Sequence, residues 1–198
     1  MLGQYHACVV KIQIILGSIR EGRKGERVAK WLYEHASKRT DMSLEFIDLR
    51  DYPLPLFAHG GFPSAGDIAP EAKKWAGKIA EADGFIWVTP EYNHGYSSVL
   101  KNAIDHIYSE WKQKPVAIVS YGGLAGGARA AEGLRLVAAE PHMASIRESM
   151  VIPRVSGAFN DKGEPTDPTA LAKNADTMLN DLLWWTTALK NARENSSS

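Results

Sequence analysis

The segment VVKIQIILGSIR, residues 9–20, decides the fold. Apart from Lys11 and Gln13, its first eight residues are apolar and mostly β-branched, which is typical of a strand in a sheet. The run stops at Gly17, and the residues that follow are polar or basic. The segment therefore predicts a strand over residues 9–16, followed by a loop that leads into a helix beginning at about Gly25.

The same strand-then-helix unit recurs along the whole chain. Further apolar runs predict strands at residues 44–49, 85–88, 116–121 and about 146–152. Segments with apolar residues at helical spacing predict helices at about 25–37, 71–82, 100–111, 128–139 and 168–190. This order indicates an α/β fold: a doubly wound, five-stranded parallel sheet between two helical layers, forming a three-layer αβα sandwich. We expect a single domain over residues 1–198, with a polar tail at about 191–198.

Composition limits the function classes. The chain has 23 Lys plus Arg and 23 Asp plus Glu, so its formal net charge is zero. Balanced charge argues against nucleic acid or a membrane surface as the main partner. The first residues do not resemble a secretory signal, and no apolar run approaches the roughly 20 residues that span a bilayer. Because Cys8 is the only cysteine, no intramolecular disulfide is possible, and a cytoplasmic protein with Cys8 as a small buried side chain is predicted.

The loop after the first strand, residues 17–25, has the chemistry of an anion site. The N–H groups at a helix N-terminus lack partners and favour negative charge. Ser18 adds a hydroxyl, and Arg20 adds a forked cation that suits phosphate. A nucleotide-triphosphate loop would need Gly-x-x-x-x-Gly-Lys-Ser/Thr, and a dinucleotide fold would need Gly-x-Gly-x-x-Gly. Neither pattern occurs here.

Two more unusual loops follow the third and fourth predicted strands. Residues 89–96, TPEYNHGY, carry two aromatic rings, a rigid proline and an amide, which can flank a planar heteroaromatic ring. Residues 120–129, SYGGLAGGAR, hold four glycines within six residues, so their backbone can lie flat against such a ring. In a doubly wound sheet, ligands bind beyond the carboxyl ends of the strands. Together the three loops predict a site for a mononucleotide with a large planar ring.

At these motifs the chain resembles the NAD(P)H-dependent FMN reductase family, the flavodoxin-like quinone, azo and chromate reductases. The resemblance rests on residues 17–20 (GSIR), 90–93 (PEYN) with 100–105 (LKNAID), and 120–123 (SYGG). It extends in order from about Val9 to Leu189. The LKNAID helix with its preceding PEYN motif is the most specific part.

The resemblance implies where FMN would bind. Ser18 and Arg20 would contact its phosphate, and Arg23 would supply charge where many members have serine. Another departure is Gly25, where many members have asparagine. The PEYN segment would line the ring edge, chiefly through backbone groups, and the SYGG segment would contact its other side. The expected cofactor-binding residues are thus Ser18, Arg20, Arg23, Pro90, Glu91, Tyr92, Asn93, Ser120, Tyr121, Gly122 and Gly123.

The resemblance also implies an activity. NAD(P)H would pass hydride to flavin N5 and leave, and a small-molecule acceptor such as a quinone, an azo compound or a flavin would then take the electrons, in a ping-pong scheme. The alternatives are a reductase that supplies free reduced FMN to a monooxygenase, and a non-enzymatic flavin carrier or redox sensor. No metal-ligand spacing occurs, and the flavin carries the chemistry, so no metal and no indispensable catalytic side chain is expected.

Three features outside the motifs complete the expectations. The family usually forms homodimers or homotetramers, and one ring of the Trp184–Trp185 pair is a candidate interface residue. Residues 50–69, rich in proline and glycine, are a candidate wall or lid of the site. His94 is either a proton donor near the flavin or an exposed loop residue. The choice between NADH and NADPH stays open.

Overall fold

The computed structural model describes residues 9–196. Its centre is one sheet of five strands in the order β2-β1-β3-β4-β5, and all four neighbouring pairs are parallel. The strands are β1 (Val10–Leu16), β2 (Met42–Asp48), β3 (Gly84–Pro90), β4 (Pro115–Tyr121) and β5 (Ala144–Ile152). Because the chain winds from β1 to one side for β2 and to the other side for β3, the sheet is doubly wound, as predicted.

Helices cover both faces of the sheet. They are α1 (Gly25–Ala36), α2 (Lys73–Ala80), α3 (Ser98–Asp105), α4 (Ala128–Ala139), α5 (Val155–Ala158) and α6 (Pro168–Ser196). The apolar residues of α1 and α6 form one core cluster with the sheet, and those of α2, α3 and α4 form a second cluster on the opposite face. This arrangement confirms the three-layer αβα sandwich and the flavodoxin-like topology.

The burial of the central strands β3 and β4 explains why the fold can be predicted from the sequence. Every residue of β3 and β4 is buried, which is typical of strands covered by helices on both faces. Three tryptophans meet in the second cluster, with Trp111 in edge-to-face contact with Trp75 and Trp87. Trp111 is thus a core residue. At the C-terminal helix, Trp185 packs against the first cluster, whereas Trp184 is exposed.

Two predicted helix ends differ from the structure by more than two residues. Helix α3 ends at Asp105 rather than near Trp111, and residues 106–114 reach the core through successive turns that keep Ile107 and Trp111 buried. Helix α6 continues to Ser196, so the predicted tail at 191–198 is helical as far as the structure describes it. Cys8 lies outside the described residues. Across residues 9–196 we find no helix that is both long enough and apolar enough to cross a membrane.

Lys114 is a buried charge at the end of the sheet opposite the loops. Its side chain donates to the carbonyls of Ile79 and Ala80, both at 3.2 Å, where α2 ends. The residue is 8% exposed. Burial, helped by the positive charge of Arg193, lowers the pKa of Lys114 from 10.5 to about 8. The folded protein therefore disfavours the charged form of this amine.

This shift predicts a gain in stability with rising pH. Between about pH 8 and pH 10.5 the unfolded chain holds the Lys114 proton and the folded chain does not, so stability rises across this window. From pH 7.5 to 9.5, the wild type should gain about 2 kcal/mol more in free energy of unfolding than Lys114→Met. Urea unfolding of both proteins at the two pH values measures the difference. Equal gains in both would contradict the argument.

Candidate functional site

The three loops predicted to form the site lie together at one edge of the sheet. The Gly17 N–H donates to the Val88 carbonyl at 2.8 Å, which joins the first loop to β3. The Glu91 N–H donates to the Tyr121 carbonyl at 3.1 Å, which joins the second loop to β4. The edge is where the winding direction of the chain reverses between β1 and β3. It is therefore the expected place for a ligand.

The first loop presents cations and the start of a helix. Lys24 is the N-cap of α1, and no side chain of the described residues 9–196 caps the helix there. Arg20 and Lys24 are exposed, and neither makes a salt bridge among residues 9–196. Free helix N–H groups next to two unpaired cations form a favourable site for an anion.

The side chain of Arg23 is paired within the chain. Its guanidinium forms a two-pronged pair with the Asp48 carboxylate, one contact being 2.7 Å, and also donates to the Ser18 carbonyl. Only 3% of its side chain is exposed. The hydrogen bond and charge of Asp48 raise the pKa of Arg23 against the effect of burial. Because Arg23 is paired with the Asp48 carboxylate, its positive charge is already balanced within the chain.

Hydroxyl groups pack tightly beneath the first loop. Ser18 is 1% exposed, and its Oγ lies 2.9 Å from the Tyr92 hydroxyl rather than facing a cavity. The Tyr121 hydroxyl is buried beside Ser18 and Gly25 but makes no hydrogen bond of good geometry. Burial raises the pKa of Tyr121, so this hydroxyl keeps its proton as a donor. A buried hydroxyl that lacks a well-aligned partner among residues 9–196, next to an anion site, fits a phosphate-bearing ligand.

The second loop is a tight hairpin. Tyr92 and Gly95 exchange two backbone hydrogen bonds of 2.9 Å, and the residues between them, Asn93 and His94, have φ of 50° and 66°. Two successive positive φ values define a type I′ turn, in which asparagine is favoured and histidine tolerated. Both residues are exposed at the tip.

A carboxylate joins the second loop to the third. Glu91 accepts hydrogen bonds from the Arg129 side chain at 2.6 Å and from the Arg129 backbone N–H at 3.1 Å, in the first turn of α4. Burial opposes ionisation, but the bonds from Arg129 outweigh it and lower the pKa of Glu91. The carboxylate of Glu91 is therefore engaged by Arg129, which leaves its backbone and stem to face the space between the loops.

The third loop folds back on its own strand. Gly127 has φ of 88°, and a Cβ there would come within 2.8 Å of the Tyr121 backbone nitrogen. Ser120 is fully buried and donates to the Gly126 carbonyl at 3.1 Å, so it shapes the loop from behind. By contrast, a Cβ at Gly123 would meet no atom of the described part of the chain within 4 Å. The open face of the loop is therefore at Gly123.

Two adjacent cavities occupy the space between the loops. The first, of about 280 Å³, lies against the first loop, and the second, of about 260 Å³, lies between the hairpin and the third loop. Glu91 borders both. Since small-molecule sites usually exceed roughly 300 Å³, a mononucleotide would need both cavities. The predicted residues that line them are Arg20, Arg23, Pro90, Glu91, Tyr92, Tyr121 and Gly122 in the first, and Glu91, Asn93 and Gly123 in the second.

The residues that line the two cavities overlap with the predicted set only in part. Ser18 and Ser120 line neither cavity, because their hydroxyls are buried and already bonded. Lining residues missed in the sequence include Lys24, Arg129 and, from α5, Val155 and Ser156. The α5 residues arrive because the Val155 N–H donates to the Gly122 carbonyl at 3.0 Å. The available signal was that β5 also ends at this edge, so its loop belonged with the other three.

The proline-rich loop is fastened beside the site. Asn102 of the LKNAID motif donates to the Pro55 carbonyl and accepts from the Phe57 N–H, both at 2.8 Å, and His106 lies 2.9 Å from the same carbonyl. No residue of 50–69 lines either of the two cavities. Phe57 instead borders a larger cavity of about 600 Å³ against α3 and α4. Within one chain the loop is thus not a lid over the predicted site.

Within residues 9–196, no group of three or more His, Cys, Asp or Glu side chains could hold a metal ion.

Comparisons with known proteins agree with the chemistry of the loops. Residues 10–156 match a family described as NADPH-dependent FMN reductase. An NAD(P)H-dependent FMN reductase of Schizosaccharomyces pombe is 47% identical over 120 residues, which are 59% of this chain and 60% of that protein.

Two further relatives extend the comparison. An NAD(P)H:quinone oxidoreductase of Solanum tuberosum is 34% identical over 133 residues, covering 65% of this chain and 67% of the relative. Among solved structures, a flavoenzyme NAD(P)H:(acceptor) oxidoreductase from Paracoccus denitrificans superposes with a TM-score of 0.72 over 91% of this chain and 98% of the other, at 23% identity. That structural match supports the fold.

Proposed function

Because the chain belongs to the NADPH-dependent FMN reductase family, we propose that it is an FMN-dependent oxidoreductase that uses NAD(P)H as electron donor. The observation that carries the proposal is the pair of adjacent cavities that share Glu91. One has cations and a helix N-terminus at its border, and the other opens onto the bare backbone at Gly123. A mononucleotide such as FMN has two matching ends, an anionic phosphate and a flat ring.

The residues present fit FMN in that orientation. Arg20, Lys24 and the first turn of α1 would hold the phosphate. The hairpin at Tyr92–Asn93 and the backbone of Gly122–Gly123 would hold the ring from two sides. When bound, FMN would supply two-electron chemistry, taking hydride from NAD(P)H and reducing a quinone, azo or flavin acceptor. Backbone N–H groups of the third loop would favour negative charge on the ring.

Beyond binding FMN, the protein would orient the donor and the acceptor and control their access to the ring. Asn93 and His94 are exposed at the tip of the hairpin and border the second cavity, where a donor or acceptor would approach. We expect NAD(P)H and the acceptor to use this one opening in turn, which gives ping-pong kinetics. The proposed hydride transfer requires no catalytic acid or base among the residues that line the second cavity.

We also propose that the working protein is a homodimer or homotetramer in the cytoplasm. The cavity of about 600 Å³ against α3 and α4 is bordered by Phe57, Tyr96 and Leu136, and Leu136 is 79% exposed. An exposed apolar surface with a recess of this size is typical of a subunit interface. The neutral net charge is consistent with small-molecule partners rather than nucleic acid or membrane.

Turnover with a matched pair of glycine variants tests the proposal. We expect the protein with FMN to oxidise NADPH or NADH when a quinone is added, with parallel lines in double-reciprocal plots. Gly123→Val should fold normally, since a side chain there meets open space, yet lose activity by roughly tenfold or more because it fills the cavity. Gly77→Val, on an exposed position of α2, is the control and should keep full activity.

Each contrary result has a distinct meaning. A protein that retains flavin but shows no NAD(P)H oxidation with any acceptor would support a passive electron carrier. Full activity in Gly123→Val would remove the third loop from the site. Circular dichroism and thermal unfolding of both valine variants verify that the comparison concerns the site rather than folding.

A further inference from the structure

Three successive carbonyl groups of the first loop point to arginine side chains. The Ser18 carbonyl accepts from Arg23. The Ile19 carbonyl accepts from Arg50 Nε at 3.2 Å, and the Arg20 carbonyl accepts from the other arm of Arg50 at 2.8 Å. Arg50 lies just beyond β2, so a residue about 30 positions away in sequence holds the backbone of the predicted phosphate loop.

The direction of these carbonyls fixes the direction of the neighbouring N–H groups. The peptide bonds here are trans, so the C=O and N–H of each peptide point to opposite sides. The N–H groups of Ile19, Arg20 and Glu21 therefore point away from the arginines. Among residues 9–196, no backbone hydrogen bond uses these three N–H groups. Successive free N–H groups on one side of a turn form a concave site for an anion.

One carboxylate fixes both arginines. Asp48 accepts from the Arg23 side chain at 2.7 Å and from the Arg50 backbone N–H at 2.9 Å. The β1–β2 register pairs Leu16 with Asp48, which sets this carboxylate beside the start of the loop. The hydrogen bonds from Arg23 and Arg50 lower the pKa of Asp48 despite burial, which opposes ionisation. Asp48 therefore stays charged at neutral pH and holds both arginines.

We propose that Arg23, Asp48 and Arg50 form a carbonyl clamp, a set of positioning residues that turn the carbonyls of residues 18–20 away from the ligand and so present the opposite N–H groups to the FMN phosphate. The inference rests on the proposed FMN site. It assigns Arg50 and Asp48 a part in binding and changes Arg23 from a ligand of the phosphate to a support of the loop. A loop with carbonyls facing the phosphate would repel it.

Flavin titrations of the whole protein test the clamp without relying on activity. The flavin-free protein is titrated with FMN and with riboflavin, which lacks the phosphate, and flavin fluorescence is followed. Arg50→Met should weaken FMN binding by about tenfold, since two hydrogen bonds from an exposed guanidinium are lost, and riboflavin binding by less than about twofold. Arg50→Lys should not restore FMN binding, because one ammonium cannot hold both carbonyls.

A control variant and a second clamp variant distinguish a role in positioning the loop from a direct effect of positive charge on the phosphate. Arg147→Met removes an arginine whose side chain is 91% exposed and should leave both affinities unchanged. Asp48→Asn frees the charge of Arg23. If Arg23 were a phosphate ligand, this change would tighten FMN binding, whereas the clamp predicts weaker binding. Thermal unfolding checks Asp48→Asn, and if that variant does not fold, the exposed Arg50 still decides the matter.

Two results would overturn the inference. One is FMN affinity equal to that of the wild type in either Arg50 variant. The other is an equal loss of FMN and riboflavin affinity, which would mean general collapse of the loop rather than loss of phosphate recognition. Failure of the proposed function looks different, because the wild-type protein would then bind neither flavin.

Discussion

Gly25→Ala is expected to lower the free energy of unfolding by about 2 to 3 kcal/mol, the upper range for overpacking a rigid site. A Cβ at this position would lie 2.2 Å from the Tyr121 hydroxyl oxygen, 2.5 Å from its Cζ and 2.8 Å from its Cε1. Tyr121 cannot easily move, because its ring is buried in the cluster between the sheet and α1. Gly25 is also the first residue of α1, so displacement would disturb the predicted phosphate site.

Urea unfolding measures this effect against a matched glycine. Gly77→Ala lies within α2, where a Cβ would meet open space, and should raise stability by about 0.5 to 1 kcal/mol. In a Tyr121→Ala background, where the obstructing ring is gone, Gly25→Ala should cost less than about 1 kcal/mol. A cost below about 0.5 kcal/mol in the wild-type background would show that the loop yields to the methyl group, contrary to the tight packing described.

Arg20→Ala is expected to weaken FMN binding by about 1.5 to 3 kcal/mol, or roughly 10- to 150-fold, the worth of a charge-assisted hydrogen bond. Arg20 borders the first cavity and its guanidinium makes no salt bridge within residues 9–196, so it is available to a phosphate. Arg23, the other candidate in the loop, is already paired with Asp48.

Fluorescence titration with FMN and riboflavin measures the loss. Riboflavin affinity should change little, because the interaction removed is with the phosphate. Lys24→Ala should cause a smaller loss, since an exposed ammonium lacks the planar fork of arginine. Arg147→Ala controls for the change of net charge. FMN affinity equal to that of the wild type would remove Arg20 from the phosphate site.

The topology and the meeting of the three loops at one edge of the sheet were predictable, because both depend on local patterns. Buried strands such as β3 and β4 show continuous apolar runs, and glycine-rich or proline-rich loops follow them directly. Parallel strands then bring these loops to one edge without further information. Helix α3 was overextended because Ile107 and Trp111 keep helical spacing while reaching the core through turns.

Side-chain roles within the site were less predictable, because they depend on partners distant in sequence. Asp48 caps the turn at Arg50. Its pairing with Arg23 follows from the β1–β2 register, which no local pattern specifies. Likewise, Ser18 suits phosphate chemically, but its hydroxyl lies next to Tyr92, 74 positions later. A residue type indicates what a side chain can do, and its neighbours decide which option it uses.

The link between Glu91 and the start of α4 has a mechanical consequence. It ties the hairpin to the third loop through two hydrogen bonds to one ionised carboxylate. Widening the gap between the two sides of the second cavity along this link requires breaking both bonds. A gap of constant width favours thin, flat molecules over bulky ones. The exposed hairpin tip at Asn93–His94 and Leu124, which is 80% exposed, are not held by this link. Adjustment of the cavity to reactants of different shape therefore falls to these residues at its entrance.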